Sequence, residues 1–240
     1  MLQIIKKISV GAIILLFFPL IIYFSNWKWT PNNFFLFKKY IYWITITGNY
    51  PWGVILSFIT FLYFFWMMNI YIKNLKIFLV ITSFIIFFGQ ISKEIIKNFL
   101  KIQRPIVNWI FNNILFIKDF YFFPKEIKKK IIEIIFEKYE KIPIWLKIYW
   151  GNESGFSFPS GHTIFVSTWA LLSIILLWPK HIKILTLIMI WAECVMLSRI
   201  ALGMHFPEDL LAGVFISWIL IILIIFLIKY FFKIFFLKIK

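Results

Sequence analysis

Three short polar groups interrupt a chain that is otherwise rich in Ile, Leu and Phe, and each contains side chains that can do chemistry. In chain order they are Lys97 with Arg104-Pro105, Pro159-Ser160-Gly161-His162, and Ser198-Arg199 followed by His205 and Asp209. Together they hold cations, two histidines and a carboxylate. These are the groups that bind an anion such as phosphate and carry out nucleophilic and proton transfers on it.

The predicted anion site combines side-chain cations with the start of a helix. Arginine presents a planar fork of N–H donors that matches two phosphate oxygens, and Lys97, Arg104 and Arg199 are the candidate cations. Ser160 occupies the position of a helix N-cap, so free backbone N–H groups and the positive end of the helix dipole face the same point. Gly161 allows the backbone to approach a ligand closely. We therefore predict a phosphate cradle of these five residues, built without a metal ion.

The two histidines suit opposite tasks in a phosphoryl transfer. Asp209 follows His205 by four positions, so its carboxylate can reach back to an imidazole N–H and stabilise the cation that forms. His205 is therefore the predicted nucleophile. His162 has no carboxylate near it in the sequence and is the candidate acid that protonates the departing oxygen. Pro207 fits the first turn of the helix that carries Asp209.

The sequence offers the three cations of the cradle few acidic partners. Glu94 lies near two of them, and Glu193 could pair in the neighbourhood of Arg199. Because Glu193 falls inside an apolar run, it is a candidate functional residue whose role stays open. The single cysteine, Cys194, excludes an internal disulfide and a cysteine-based metal cluster, and we expect it to serve packing.

The elements that position these residues are predicted to cross a membrane. The chain is 62% hydrophobic with a mean hydropathy of +0.89, whereas soluble domains are about 45–50% apolar. A spanning helix needs about 20 apolar residues, and three uncharged runs come close to that length. Three weaker runs can each extend by a turn. The six predicted spans are 8–24, 53–72, 77–92, 163–178, 184–197 and 210–228. The first is expected to remain as an uncleaved helix, because no signal-peptide cleavage pattern follows it.

Charge predicts the orientation of these spans. The net charge of +16 does not indicate nucleic-acid binding, because anionic lipid headgroups and the positive-inside rule account for basic loops in a membrane protein. Both termini and two short connectors are basic, and six spans place all four on one face, predicted to be cytoplasmic. The connector 26–52, the segment from about 93 to 162 and the turn 199–209 then lie outside. Because two spans separate His162 from Arg199, the polar groups can meet at that outer face.

The segment between the third and fourth spans is the only part of the chain that resembles a soluble protein. Residues 124–142 begin with proline and place apolar residues at helical spacing, at Ile127, Ile131, Ile134 and Ile135. We predict an amphipathic helix that either caps a lipid site at the outer surface or is solvated and packs on its neighbours. No internal repeat or linker interrupts the chain. Residues 1–240 are therefore predicted to form one domain with a helical insertion at about 104–158.

The motifs K-x6-R-P, P-S-G-H and S-R-x5-H-x3-D, in this order, resemble the signatures of the type 2 phosphatidic acid phosphatase (PAP2) superfamily. Further similarity to the bacterial phosphatidylglycerophosphatases of that superfamily lies in NWKWTP, YPWGV, SGFSFPSGHT and LGMHFPEDL. The resemblance implies an all-α integral membrane protein with six transmembrane helices and a periplasmic helical insertion between the third and fourth, in an acid-phosphatase-like bundle. It also implies a multi-pass protein of the cell inner membrane, with both termini cytoplasmic and the active site at the periplasmic face.

The resemblance further implies a reaction that needs neither a metal nor a cofactor. His205 would attack phosphorus with support from Asp209, His162 would protonate the leaving group, and water would hydrolyse the phosphohistidine. The phosphate would be held by Lys97, Arg104, Ser160, Gly161 and Arg199. The expected substrate is phosphatidylglycerophosphate, with phosphatidate, lysophosphatidate, diacylglycerol pyrophosphate and undecaprenyl pyrophosphate as further lipid phosphates. The motifs do not rank these lipids, because they contact phosphate and not the rest of the molecule.

Two other functions remain open at this point. One is a dedicated undecaprenyl pyrophosphate phosphatase, or a phosphotransferase that passes the group to another lipid. The other is a carrier that binds a lipid phosphate without chemistry, although such a protein would not need Asp209 beside His205 and would often show internal repeats. Its partners are expected to be phospholipid and polyprenyl phosphate substrates in the membrane, with no nucleic acid and no obligate protein partner.

Overall fold

The computed structural model describes residues 2–32, 38–67, 72–114, 120–137, 142–153 and 155–238. Within these ranges the regular structure is helical and no strand occurs, so the predicted all-α class is confirmed for the described part of the chain. In chain order the α-helices are α1 (Leu2–Phe24), α2 (Lys38–Ile46), α3 (Trp52–Met67), α4 (Ile72–Leu100), α5 (Pro105–Asn113), α6 (Lys125–Glu137), α7 (Ile144–Asn152), α8 (Gly161–Leu177), α9 (Ile182–Ala201) and α10 (Pro207–Lys238). A 3-10 turn at Phe120–Phe122 precedes α6.

The apolar helices coincide with the predicted spans. Among the described residues, three segments are long and apolar enough to cross a membrane, namely Leu2–Phe24, Ile182–Ala201 and Pro207–Leu227. Two shorter apolar helices, Trp52–Phe64 and Gly161–Leu177, match two further predicted spans. The remaining predicted span, 77–92, lies within α4, which continues to Leu100.

Helix α8 lies at the centre of the bundle, where it packs against α1, α4, α9 and α10. The side chains of Val166, Ala170 and Leu171 are completely buried in the apolar core that these helices share. Gly213 of α10 faces α8 so closely that a Cβ atom there would lie 2.8 Å from the Cβ of Thr163. This close packing brings the first turns of α8 and α10 together, which places two of the three polar groups side by side.

A second apolar core joins α5, α6 and α7 to the turn between α9 and α10. Its centre contains Phe136 and Trp150, and the Trp150 indole donates a hydrogen bond to the Leu202 carbonyl at 2.8 Å. Trp29 donates to the Ala201 carbonyl at 3.0 Å. Gly203 follows with φ +71°, a conformation that glycine adopts without steric cost. These contacts fix the turn that carries His205 against the α5–α7 layer.

A helix within the predicted range 124–142 is confirmed as α6, Lys125–Glu137, while residues 138–141 of that range lie outside the described residues. The buried face of α6 differs in part from the prediction. Ile132 and Phe136 are buried, whereas Ile127 and Ile134 are 45% and 67% exposed. The difference arises because α6 packs against α7, so the position of that neighbour decides which side is covered. The close approach occurs at Gly151, where a Cβ atom would lie 2.9 Å from the Cα of Lys129.

The structure adds a helix that the sequence did not predict and corrects the expectation for Cys194. The connector 26–52 contains a short helix, α2, which packs against α9 and brings Thr45 to the polar groups. Cys194, expected to serve packing, is exposed and lines an apolar cleft between α1, α2 and α9 together with Phe18 and Ile41.

Candidate active site

The start of α8 has the geometry of an anion-binding helix end. Ser160 is the N-cap residue, and its hydroxyl oxygen accepts a hydrogen bond from the Thr163 N–H at 3.3 Å, as the sequence predicted. The Ser160 N–H donates to the Asp209 carbonyl at 3.1 Å, which ties this turn to the first turn of α10. A Cβ atom on Gly161 would lie 2.6 Å from Cδ of Lys93, so the glycine allows α4 to pass close to the helix start.

His205 and Asp209 form a buried pair at the start of α10. Nδ1 of His205 lies 3.1 Å from Oδ2 of Asp209, and the two side chains are each 2% exposed. The same carboxylate oxygen accepts a hydrogen bond from the Phe206 N–H at 2.8 Å. Helix α10 begins at Pro207, as predicted, so this turn follows from the Phe-Pro sequence between the two residues. The carboxylate is therefore held on the Nδ1 side of the imidazole ring.

Ser157 is a further member of this pair that the sequence did not reveal. Its hydroxyl donates a short hydrogen bond to Oδ2 of Asp209 and lies 3.4 Å from Nδ1 of His205. Its own N–H donates to the Ile102 carbonyl at 2.8 Å, which anchors the segment before α8 to the chain after α4. Because a serine in a loop is commonplace, no sequence signal distinguishes this residue from its neighbours.

Arg104 and Lys97 approach the site from the end of α4 and the start of α5. The Arg104 guanidinium is buried, and it donates through Nε to the Gly155 carbonyl at 2.7 Å and through Nη1 to the Met204 carbonyl at 3.2 Å. Nζ of Lys97 donates to the Phe156 carbonyl at 2.8 Å. Both cations therefore hold the segment that leads to the Pro-Ser-Gly-His turn.

Arg199 enters from the end of α9 and is completely buried. Its Nη1 donates to the hydroxyl of Thr45 at 3.2 Å and, by a short hydrogen bond, to the hydroxyl of Tyr149. Burial raises the pKa of the Tyr149 phenol to about 12, so this hydroxyl stays protonated. Among the described residues Nε of Arg199 has no hydrogen-bond partner. Neutral hydroxyls thus hold the Nη1 side of this arginine, which leaves Nη2 for a further partner.

Glu153 joins the two arginines and is the second residue that the sequence did not reveal. Its Oε2 lies 3.2 Å from Nη2 of Arg199 and 3.6 Å from Nη2 of Arg104. Burial alone would raise the pKa of Glu153, but the Arg199 and Arg104 guanidiniums outweigh burial and hold it at about 2. The carboxylate is therefore ionised throughout the physiological pH range.

Neither acid that lies near the cations in the sequence forms an ion pair with Arg104 or Arg199 in the described structure. Glu94 pairs with Lys93, Nζ to Oε1, at 2.8 Å. Glu193 is buried, and neither of its carboxylate oxygens has a partner within the described ranges. The Glu153–Arg199 ion pair was not predicted, because Glu153 is remote from Arg199 along the chain. The two residues meet only because α7 folds back onto the bundle. The one sequence signal for Glu153 is its position in the otherwise uncharged run just before the Pro-Ser-Gly-His turn.

Both histidines are buried near Arg104 and Arg199, and they differ in their hydrogen-bond partners. Burial and the nearby Arg104 and Arg199 lower the pKa of His205 well below its usual value, so its imidazole is neutral in the free protein at pH 7. His162 stands at the first turn of α8, and its Nε2 is buried without a hydrogen-bond partner among the described residues. Gly48 lies against its ring, since a Cβ atom there would be 3.1 Å from Cδ2. An unpaired buried nitrogen is costly unless a ligand completes it.

The structure thus brings together the three predicted polar groups at one end of the bundle. His205, Asp209 and Ser160 are linked directly, while Arg104 and Arg199 are linked through Glu153. No group of three or more His, Cys, Asp or Glu side chains that could hold a metal ion occurs in the part of the chain that the structure describes. The arrangement presents a neutral imidazole with a carboxylate on its Nδ1 side, and two buried guanidiniums that share one carboxylate oxygen. Such a site is suited to binding and attacking a phosphate.

Comparison with known proteins agrees with this chemistry. The model of the PAP2 superfamily matches residues 78–233, which include all three polar groups. Phosphatidylglycerophosphatase B of Escherichia coli (strain K12) is 35% identical over 218 residues, covering 90% of this chain and 86% of that protein. Phosphatidylglycerophosphatase B of Haemophilus influenzae is 27% identical over 224 residues, covering 90% of this chain and 92% of that protein. The chain therefore belongs to the PAP2 superfamily, and these matches support a lipid phosphatase.

Proposed function

We propose that this lipid phosphatase removes the terminal phosphate from phosphatidylglycerophosphate, without a metal ion, through a phosphohistidine at His205. The observation that carries the proposal is the 3.1 Å contact between Nδ1 of His205 and Oδ2 of Asp209, beside the two buried arginines. The substrate follows from the relatives in Escherichia coli and Haemophilus influenzae, which are phosphatidylglycerophosphatases B.

In the first step, Asp209 keeps a proton on Nδ1 of His205, so the lone pair lies on Nε2. Nε2 attacks phosphorus while the bond from phosphorus to the glycerol oxygen breaks. His162 takes up a second proton when the phosphate dianion binds beside it and donates that proton to the departing oxygen. A leaving oxygen at this place would also give the buried Nε2, which has no partner among the described residues, a hydrogen bond. Asp209 stabilises the positive charge that develops on the imidazole.

In the second step, water attacks the phosphohistidine. His162, now neutral, takes a proton from the water, the P–N bond breaks, and its electron pair returns to Nε2 of His205. Inorganic phosphate leaves, and both histidines regain their starting protonation states. Throughout both steps the phosphate oxygens are held by cations and by the helix start, through Lys97, Arg104, Ser160, Gly161 and Arg199.

We further propose that α1, α3, α4, α8, α9 and α10 cross the inner membrane and that residues 1–240 form one domain. The basic connectors and termini support cytoplasmic ends, and with six spans the insertion with α5–α7 and the site would then lie at the periplasmic face. Phosphatidate, lysophosphatidate, diacylglycerol pyrophosphate and undecaprenyl pyrophosphate are further candidate substrates, because each offers the same terminal phosphate. A reporter fused after Lys240 should be cytoplasmic, and a periplasmic signal would contradict this topology.

The experiment that tests the reaction measures phosphate release by the purified protein in detergent micelles, with EDTA present, on each of these lipids. We expect activity in EDTA, loss of activity in His205→Ala, and unchanged activity in His181→Ala, a matched histidine at the opposite end of α9. Activity that disappears with EDTA would contradict the metal-independent reaction. Retained activity in His205→Ala would exclude this nucleophile and favour binding without chemistry. Transfer of phosphate to another lipid without free phosphate would indicate a phosphotransferase.

A further inference from the structure

Glu153 lies where the proposed substrate phosphate would lie. Two guanidiniums converge on one of its oxygens, and both arginines are almost completely buried, with side-chain exposures of 0% for Arg199 and 5% for Arg104. Arginine binds the oxygens of a carboxylate and of a phosphate in the same way. In the structure, the position between these two cations is therefore already filled by an anion that belongs to the protein itself.

The partners of the three side chains indicate which of them moves when phosphate enters. Arg104 is held by the carbonyls of Gly155 and Met204, and Arg199 by the hydroxyls of Thr45 and Tyr149. The arginines therefore keep their places without the carboxylate. The Glu153 side chain is 25% exposed, and its described contacts are those to the arginines. The glutamate therefore has both the freedom and a solvent-facing route to leave.

We propose that Glu153 is an internal counter-ion that exchanges places with phosphate between Arg104 and Arg199. It neutralises the two buried cations when the site is empty, and it returns to them as the reaction ends, which weakens the hold on the product phosphate. This proposal rests on the proposed function, because it takes the two arginines as the phosphate-binding residues of the reaction. Glu153 acts here by occupying and vacating a position, not by touching the reacting atoms.

The consequence for binding follows from mass action. Any phosphate that needs both arginines must first displace the carboxylate. Its apparent dissociation constant is therefore the intrinsic value multiplied by a displacement factor, which is the same for every such ligand. A lipid substrate has additional contacts through its apolar chains and reaches the site from a membrane. Free inorganic phosphate has neither advantage. The counter-ion therefore leaves lipid-bound phosphate able to bind and lets the released product depart.

The ion pairs of Glu153 with Arg104 and Arg199 set an upper limit on this displacement factor. The pKa of Glu153 is about 2 instead of 4.5, and a shift of that size corresponds to roughly 300-fold stronger interaction with the ionised form. The full factor is reached only if nothing else stabilises the displaced carboxylate. Since that side chain can be solvated after it leaves, we expect a change between about tenfold and 300-fold when the charge is removed.

The test compares wild type with Glu153→Gln in detergent micelles, with phosphatidate as substrate and inorganic phosphate as inhibitor. Glu126→Gln is the matched control, since it removes one carboxylate from an exposed position in the same insertion. In Glu153→Gln we expect the inhibition constant of phosphate and the KM of phosphatidate to fall together, by at least about tenfold, with a lower kcat as product release slows. Glu126→Gln should change none of these values.

A second variant and a second measurement keep the proposal testable if glutamine destabilises the protein. Glu153→Asp retains the charge but is shorter by one methylene, so it should give an intermediate inhibition constant. Phosphate should also raise the melting temperature of Glu153→Gln more than that of wild type, because its site is no longer occupied. An inhibition constant that stays the same or rises in Glu153→Gln would overturn the exchange.

Failure of this proposal is separable from failure of the proposed reaction. If wild type releases phosphate in a His205-dependent manner while Glu153→Gln binds phosphate no more tightly, only the counter-ion is excluded. If no lipid is hydrolysed, the reaction is excluded, and phosphate binding to His205→Ala with and without Glu153→Gln still decides the exchange. The binding measurement needs only inorganic phosphate and calorimetry.

Discussion

Replacing Ser157 by alanine should slow the reaction without weakening substrate binding. The hydroxyl donates to Oδ2 of Asp209, which also accepts from Phe206 N–H and lies against His205. Loss of a hydrogen bond to a charged group costs about 1.5–3 kcal/mol in a buried site. If that stabilisation is lost when the imidazole becomes cationic, kcat should fall by about 10- to 150-fold. KM and the inhibition constant of phosphate should stay near wild type, because Ser157 does not contact the arginines in the described structure.

The assay is steady-state phosphate release in micelles containing EDTA, with Ser173→Ala as the matched control. Ser173 is as buried as Ser157, and its replacement by alanine likewise removes one hydroxyl oxygen. The Ser173 hydroxyl, however, donates to the Trp169 carbonyl in the middle of α8. The control should therefore retain its kcat. A Ser157→Ala enzyme within twofold of wild type would refute the reasoning, and so would an equal loss in Ser173→Ala. A rise in KM with unchanged kcat would indicate a substrate contact instead of support for the pair.

Two predictions concern stability. At pH 7, Glu153→Gln should lower the free energy of unfolding by about 3 kcal/mol, because the pKa of Glu153 is about 2 in the folded state against 4.5 unfolded. This contribution is fully present above pH 4.5 and is lost as the pH falls through about 2, so denaturant unfolding of wild type and variant should converge in acid. Gly203→Ala should destabilise the protein by at least about 1 kcal/mol, because its φ is +71° and a Cβ atom would lie 2.4 Å from Cε2 of Trp29. Gly155→Ala, where nothing lies within 4 Å of an added Cβ, should melt at the wild-type temperature, and equal melting of both variants would contradict the argument.

The chemistry of this protein is largely readable from spacing along the chain. Asp209 stands one helical turn after His205, and Ser160 precedes an apolar helix, so local geometry alone brings the carboxylate to the imidazole and the hydroxyl to the helix start. Hydrophobic runs likewise predicted the apolar helices that coincide with α1, α8 and α10, because a membrane requires a minimum length of apolar chain. Two predicted spans separate His162 from Arg199, and this even number was enough to predict that their polar groups lie on the same side of the membrane.

Contacts between segments that are remote in sequence could not be predicted, because they depend on how the helices pack. Glu153 meets Arg199 because α7 packs through Trp150 on the turn after α9, and nothing local to either residue encodes that contact. The buried face of α6 depended on its neighbour α7 in the same way. Glu94 was the nearer acid to the cations in sequence, yet it pairs with Lys93.

Residue type and spacing within one helix are enough to predict the candidate catalytic and phosphate-binding residues and the segments that are apolar enough to enter a membrane. The groups that surround those residues depend on how the helices pack. They are Ser157 on the carboxylate, Tyr149 and Thr45 on Arg199, and Glu153 between the two arginines. The difference arises from how far apart along the chain the interacting residues lie. A helical turn relates residues three or four positions apart, whereas the charges and hydrogen bonds that complete this site join segments whose proximity is set by packing of the whole bundle.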